Sequence, residues 1–481
     1  MNKFYITTSI PYASGNPHIG NAIDWLYADT VARYKQQQGF DVAYSAGADE
    51  HGSKIYEKAV EQGVKPEQFI ETVVPLIQAG HELINSKYTL FARTNSKQHI
   101  AAAQTLWKQM GNDIYKAKYI GWYCVGCEEF KTETEVKENK GVCPLHNKKY
   151  EQLEEENYFF RLSSYGKQVL DLIESGEFEV VPEKRKNEIV SLIREGLDDI
   201  SISRPVKKLP WGIPVPGDKT QVMYVWFEAL MNYITVLGYP DGEDFKKFWP
   251  TDLQIVGKDN LRFHAAIYPA MLLSAGLPVL KRLLVHGHLT VDGKKMSKTI
   301  GNIVNTEEVV KKYGVDAFRY YFLRKVTSYD DGDFSWEQFE QAYNNELANE
   351  LGNAVQRLSA MIVKYQKGVI GNLPDATHDT GAYEEALEQC RFDRALDVVW
   401  TQVRGVNQYI DEEKPWEIAK QGDEEYLREV LAQAASDLLE IADLLVPFLP
   451  DTAAKIKSVF EGGIVRPLDS ILFPKLEAAN V

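Results

Sequence analysis

Apolar and polar positions first fall into register at residues 3–8, KFYITT, where a period of two marks a strand. The chain then turns through PYASGNP into a stretch whose apolar residues Ile19, Ala22, Ile23, Leu26 and Val31 keep the spacing of one helix face, and Gly39 ends it. A second strand is predicted over residues 42–45. Strand, loop, helix, strand is the unit of a parallel nucleotide-binding sheet, whose ligands sit at the carboxyl ends of its strands. From about Tyr115 to Pro214 the texture changes to paired cysteines and charged runs such as EQLEEEN and EKRKNE, which predicts an inserted domain. Strand patterns return at 253–257 and 283–286. From residue 306 the pattern is helical almost to the end, with Thr306 as N-cap ahead of Glu307 and Glu308, and Gly314 closing that helix. After Asn344, Leu347, Leu351, Val355, Leu358 and Ile362 trace the apolar stripe of a helical bundle.

A length of 481 residues exceeds what one core supports and predicts several domains. With 44% hydrophobic and 26% charged residues the composition is that of a globular protein. No apolar run is long enough to span a bilayer and the start has no signal-peptide pattern, so a cytoplasmic protein without membrane partners is expected. The net charge of −15 requires any nucleic-acid partner to meet a locally basic surface. Of the four cysteines, Cys390 stands alone as a small core residue, while three crowd together. Cys124-x-x-Cys127 followed by Cys143-x-x-His146 supplies three thiolates and one imidazole, the spacing of a closed, structural zinc site.

Two segments carry candidate nucleotide chemistry. Asn16-Pro17-His18-Ile19-Gly20-Asn21 places an imidazole and an amide at a loop-to-helix junction, where backbone N–H groups and the helix dipole favour phosphate and Gly20 allows close approach. A histidine at such a position also serves simply as a cap. Far downstream, Asp292-Gly293-Lys294-Lys295-Met296-Ser297-Lys298-Thr299 is a glycine-hinged loop whose lysines can lie against a polyphosphate. Together they resemble the HIGH and KMSKS signatures of class I aminoacyl-tRNA synthetases. The surrounding stretches TTSIPYASGNPHIGN, GADEHG, YVWFEALMNY, VGKDNLRFH and VHGHLTVDGKKMSKTIGN resemble the methionyl-tRNA synthetases, and the likeness runs over nearly the whole chain.

That resemblance implies an α/β protein: a Rossmann-type parallel-sheet catalytic domain split by a zinc-knuckle insertion and followed by an α-helical anticodon-binding bundle. The expected division is 1–115 and 215–300 for the two catalytic halves, 116–214 for the insertion, 301–343 for a stem-contact segment and 344–481 for the bundle. It implies activation of methionine by ATP, with magnesium, and transfer to the terminal ribose of a methionine tRNA, initiator included. By resemblance His18, Gly20, Asn21, Lys295 and Lys298 hold the phosphates, Gly287, His288 and Leu289 lie against adenine, and Asp259 lies near the nucleoside or substrate. Ile10, Tyr12, Trp226, Ala229, Leu230, Tyr233 and His264 line the methionine pocket, and Asp49 faces the ammonium. An aromatic pocket suits a polarizable thioether, although Trp226 and Tyr233 at helical spacing would otherwise read as core. Asn349, Asn353 and Arg357 recur every four residues on one helix face, and Trp416 follows Pro415 in the loop-like DEEKPW. Amide, guanidinium and indole groups suit unstacked bases, and by resemblance these four read the anticodon CAU.

The chain departs from the family's pattern at Asn21, where many relatives have histidine, and at Thr299 in place of serine, and Leu230 stands where some relatives have proline. It lacks the appended dimerisation module of some relatives, so a monomer is expected. A cysteinyl enzyme would keep an open zinc position, and the larger editing enzymes carry a longer insertion. An inactive relative serving as an RNA-binding scaffold remains a different reading, separated from an enzyme by ATP–pyrophosphate exchange.

Overall fold

Six parallel strands form the central sheet of the computed structural model, which describes residues 2–127, 129–131, 133–296, 304–374 and 379–476. In chain order they are β1 (Lys3–Thr8), β2 (Asp41–Ala48), β3 (Leu90–Arg93), β4 (Glu179–Val181), β5 (Leu253–Gly257) and β6 (Arg282–His286). Across the sheet they run β3-β2-β1-β5-β6-β4, each parallel to its neighbours. Alternate residues feed opposite faces, as the strand period of two requires. Tyr5, Val256, Leu283 and Val285 join one core, while Ile6, Ile255 and Leu284 join the other. Both faces are therefore covered, which is the setting parallel sheets need.

Helix α1 (Ile19–Gln37) lies on the second face and is buried almost all round. It is wedged between the sheet and the helical half, and it carries two buried carboxylates, Asp24 and Asp29. Arg319, with no exposed surface, pairs with Asp29 at 2.8 Å and donates to the carbonyls of Ile84, Pro447 and Phe448. A guanidinium has five N–H donors in a fixed fork, so one side chain fastens α1, the buried C-terminal end of helix Pro66–Leu83 and the turn between the last two helices together.

The stretch 116–214 builds a four-stranded antiparallel sheet from Ile114–Cys124, Glu129–Lys131, Glu151–Phe160 and Ile200–Ser201. It does not stay apart from the catalytic body. Val180 and Val181 bury themselves on opposite faces of the central sheet, so β4 returns to pair with β6 inside the stretch read as an insertion. Beyond β6 a small sheet follows: β7 (Leu289–Val291) and β8 (Lys294–Lys295) form a hairpin, and β9 (Gly332–Phe334) pairs in parallel with β7. The hairpin turn is Asp292-Gly293, both with positive φ, the conformation that a two-residue turn requires.

The helical half begins with Thr306–Tyr313 and Val315–Arg324. The N-cap of the first is Asn305, whose Oδ1 accepts the Glu307 N–H at 2.9 Å, and Thr306 is already helical. Asparagine stands among the strongest N-caps, and the extended backbone at residue 305 lets its side chain reach back to the second helical amide. The π-helical Tyr343–Gly352 runs on into Asn353–Gln366, and Gly381–Glu388, Phe392–Glu413, Pro415–Gln421, Glu424–Leu445 and Pro450–Phe460 complete the bundle. Leu347, Leu351, Val355, Leu358 and Ile362 are all buried in its core. Trp416 occupies the first turn of Pro415–Gln421 rather than a loop, because Pro415 at N1 carries the φ a helix start needs. No described helix is long and apolar enough to cross a membrane.

Candidate active site, metal cluster and helical cavity

The strand order reverses between β1 and β5, and open α/β sheets bind ligands beyond the carboxyl ends of the strands at that point. Ile10 and Tyr12 follow β1, Asp49 follows β2, Asp259 follows β5, and Gly287 and His288 follow β6. Four adjacent strands thus deliver six of the candidate residues to one edge.

At that edge α1 begins. His18 is its N-cap, and its Nδ1 accepts the Gly20 N–H at 3.1 Å while Asn21 Oδ1 accepts the His18 N–H at 3.1 Å. Capping and candidate chemistry therefore reside in the same two side chains. A neutral imidazole that accepts at Nδ1 carries its proton at Nε2, so the exposed ring presents a donor. A Cβ at Gly20 would stand 2.9 Å from His18 Cε1, which gives this glycine a packing reason as well as an access one.

Tyr12 meets the Trp226 edge with ring centroids 6.0 Å apart, and Trp226 stacks on Phe263 at 4.1 Å. Trp226 and Ala229 come from α2 (Val225–Ala229), with Leu230 as its C-cap. Tyr233 bonds His264 Nε2 at 2.9 Å, and His264 Nδ1 lies 3.0 Å from the Asn260 carbonyl. Only one tautomer satisfies both: Nδ1–H donates to the carbonyl and Nε2 accepts from the phenol. Burial pushes the His264 imidazole down to about 4, so it stays neutral. Asp49, at 4% exposure, is buried beside Tyr12, with which it forms a parallel bridge. Ile10 and Tyr12 are half-buried, as is Trp226, and Ala229, Leu230 and Tyr233 are buried.

Beyond β5 and β6, His288 Nε2 lies 2.7 Å from Asp259 Oδ2, which brings together two residues 29 apart in the chain. Asp331 accepts the His288 N–H at 2.8 Å and pairs with Lys258. Gly287 backs onto the Asp330–Asp331 main chain so closely that a Cβ would stand 2.2 Å from the Asp330 carbonyl oxygen. Leu289 is buried as the first residue of β7. Lys295 ends β8, whereas Lys298 lies outside the described residues.

Two buried networks escaped the sequence reading. His286 Nε2 lies 2.5 Å from Asp24 Oδ1, and its Nδ1 faces the Gly287 carbonyl at 2.8 Å. Burial opposes its protonation, but the Asp24 carboxylate outweighs burial and holds the imidazole above its usual value. The second joins Glu228, with no exposed surface, to His51 and His99, each at 2.9 Å. Burial opposes ionisation of Glu228, yet the two imidazoles hold its carboxyl below the usual range. His51 and Glu228 stand inside the motifs GADEHG and YVWFEALMNY, but 177 residues separate them and no spacing rule joins them.

Cys124, Cys127, Cys143 and His146 do converge: their ligand atoms lie within 4.8 Å of one another and could hold a metal ion. Cys127 Sγ is 3.5 Å from Cys143 Sγ and 3.4 Å from His146 Nδ1. Four donors at tetrahedral metal–thiolate distances stand about 3.8 Å apart, a spacing close to that of this cluster. Gly126 is required there, because a Cβ would lie 2.3 Å from the His146 ring.

In the helical half Asn349, Asn353 and Arg357 line one cavity of about 560 Å³ together with Glu350, Arg404, Asn407 and Asp411. Arg357 pairs with Asp411 at 2.7 Å, and Arg404 with Glu350 at 3.3 Å. Trp416 is half-buried on the bundle core and is not among the cavity-lining residues.

These observations agree with the comparisons. A family model described as tRNA synthetases class I (M) matches residues 4–153 and 139–359. A methionine–tRNA ligase of Thermotoga maritima is 39% identical, covering 94% of this chain and 74% of the relative, and one of a Nostoc species is 40% identical, covering 96% and 90%. Among solved structures, Mycobacterium tuberculosis methionyl-tRNA synthetase in complex with methionyl-adenylate superposes with a TM-score of 0.92 at 34% identity, over 98% of this chain and 100% of that one. Motifs, topology and likeness over nearly the full length lead to one conclusion: the chain belongs to the methionine–tRNA ligase family of class I tRNA synthetases.

Proposed function

We propose that the carboxyl edge of the central sheet is where this chain carries out its reaction. As a member of the methionine–tRNA ligase family it activates methionine with ATP and charges tRNA. The methionine carboxylate attacks the α-phosphate, the bond to pyrophosphate breaks, and methionyl-adenylate forms. The 2′-hydroxyl of the terminal adenosine then attacks the acyl carbon and AMP leaves. Neither step needs a strong general base, so alignment and charge stabilisation carry most of the rate.

The residues divide by chemistry. His18 Nε2–H, Asn21 and the amides around Gly20 receive the phosphates at the positive end of α1. Lys295 and Lys298 meet the departing pyrophosphate, and magnesium bound with ATP offsets further phosphate charge. Gly287, His288 and Leu289 back the adenine, with Asp259 oriented by its bond to His288. Asp49 takes the methionine ammonium. Ile10, Tyr12, Trp226, Ala229, Leu230, Tyr233 and His264 enclose the thioether. The observation that carries this reading is the locked tautomer of His264: a neutral imidazole beside an aromatic wall leaves Asp49 as the charge that selects a zwitterion's ammonium.

Zinc at Cys124, Cys127, Cys143 and His146 fills all four positions with protein donors and is therefore structural. Residues 1–115 and 215–300, joined by the returning strand β4, form the catalytic body, the rest of 116–214 the knuckle-bearing insertion, 301–343 the stem-contact segment, and 344–481 the anticodon bundle. Asn349, Asn353, Arg357 and Trp416 read CAU of elongator and initiator methionine tRNA. The enzyme works as a cytoplasmic monomer. Pyrophosphate exchange with ATP and magnesium, screened over twenty amino acids without tRNA, tests the catalytic reading: exchange with methionine alone supports it, and exchange with none overturns it.

A further inference from the structure

The lysine-bearing hairpin is not held by its own strands, which are three and two residues long. Its support comes from β9, 40 residues further on. Asp333 Oδ1 accepts the Thr290 hydroxyl at 2.6 Å and the Gly293 N–H at 2.9 Å. One carboxylate oxygen therefore ties the middle of β7 to the turn that launches Lys294 and Lys295. The neighbouring Asp292 N–H donates to the Phe334 carbonyl at 3.0 Å, and Thr290 also reaches the Gly332 carbonyl at 3.1 Å. A turn of two positive-φ residues has little side-chain packing to fix its direction, so its orientation depends on these bonds.

The same short segment is fastened elsewhere. Ser328 and Tyr329 donate to the carbonyls of Cys390 and Gln389 at the turn between two bundle helices. Asp331 caps the His288 N–H. Residues 328–333 thus run from the bundle, past the adenine-side loop, to the hairpin turn. None of these residues carries a signature that the sequence reading recognised.

Building on the phosphate role of the hairpin lysines, we infer that Asp333 is a positioning residue for adenylate formation. It aims the lysine hairpin at the pyrophosphate leaving group and does not itself touch substrate. Because both bonds use a single acceptor oxygen, the requirement is for an acceptor rather than for a charge. Asparagine supplies that oxygen and alanine does not.

The test measures methionine-dependent pyrophosphate exchange and thermal unfolding for wild type, Asp333→Ala, Asp333→Asn and Thr290→Val. Misaiming a catalytic group by about an ångström costs up to roughly a hundredfold in rate. Asp333→Ala is expected to lose roughly ten- to a hundredfold in kcat with the KM for methionine unchanged, Thr290→Val a smaller part of the same loss, and Asp333→Asn to recover most of it. If wild type exchanges and Asp333→Ala matches it, the inference fails. It fails equally if Asp333→Asn is as impaired as alanine, or if kcat and melting temperature fall together while the KM for methionine rises, which is the signature of a generally distorted site. A wild type inactive with every amino acid would instead overturn the functional reading beneath it.

Discussion

The proposed catalytic edge and the helical cavity hold their polar groups in opposite ways. At the edge, polar groups are fixed before any ligand arrives: His264 has one permitted tautomer, His288 is held by Asp259 and Asp331, and His18 is locked by its own helix. In the cavity the candidate readers lie near the surface, and Arg357 and Arg404 are already paired with Asp411 and Glu350. A site that must stabilise a transition state gains from groups needing no reorganisation, whereas one that reads bases can exchange a carboxylate partner for a nucleobase. Mutations at the edge should therefore act through geometry, and those in the cavity through competition.

The hardest strain on that contrast is His18, where cap and chemistry coincide. His18→Asn keeps a strong N-cap and removes the imidazole. Exchange should fall roughly a hundredfold or more, in line with loss of one preorganised donor, while the melting temperature stays within a few degrees. Full exchange in His18→Asn would reduce the histidine to a cap.

His264 gives the next largest effect, and it concerns pH. Its imidazole titrates at about 4 in the fold against 6.5 ordinarily. Between those values the unfolded chain binds more protons than the native one, so this group's contribution is complete above pH 6.5 and is lost as pH falls toward 4. At 1.36 kcal/mol per unit the whole window is worth about 3 kcal/mol. His81, pushed down to about 3 by burial, adds a parallel loss. His264→Gln removes one titration, so its denaturant-measured stability should decline less steeply than wild type below pH 6.5. An unchanged slope would mean that His264 is not held neutral.

How much of this was open to reading in the sequence differs by element. The strands at 253–257 and 283–286 matched β5 and β6 to within a residue because short β-branched and leucine-rich segments there follow charged residues, Asp252 and Arg282. β4, β8 and β9, three residues or fewer, give periodicity nothing to act on, and they place the 179–181 and 332–334 segments. The four residues that could hold a metal were readable because thiolate pairs at fixed spacing have few other uses. Asp24 and His286 were not, since they lie 262 residues apart and either alone reads as an ordinary polar residue. The candidate residues of the pocket were found through motifs, while the stack of Phe263 on Trp226 arises only when the π-helical segment Phe263–Ile267 packs against α2. Lys298, although named by its motif, lies outside the described residues.

In the helical half the contrast predicts smaller and step-specific effects. Trp416→Ala and Arg357→Ala should each reduce kcat/KM for tRNA charging by roughly ten- to thirtyfold, within the range for losing one base-stacking or hydrogen-bonding side chain. Pyrophosphate exchange without tRNA should remain at wild-type level. Equal loss in both assays would show that the bundle supports the catalytic fold rather than reading a ligand.

The smallest expected effect is the sharpest test of competition. Asp411 holds the Arg357 guanidinium through a largely exposed ion pair, and such pairs are worth at most about 1 kcal/mol. Asp411→Asn releases Arg357 for a base or phosphate and removes one negative charge from the cavity wall, so two terms act in the same direction. The KM for tRNA should fall about two- to threefold, and the gain should shrink as salt rises, because screening weakens the attraction to phosphate that the variant exposes. Exchange without tRNA should not change. A rise in KM would instead mean that the ion pair orients Arg357 for its ligand, placing the cavity beside the catalytic edge as a second prearranged site and removing the distinction between the two halves.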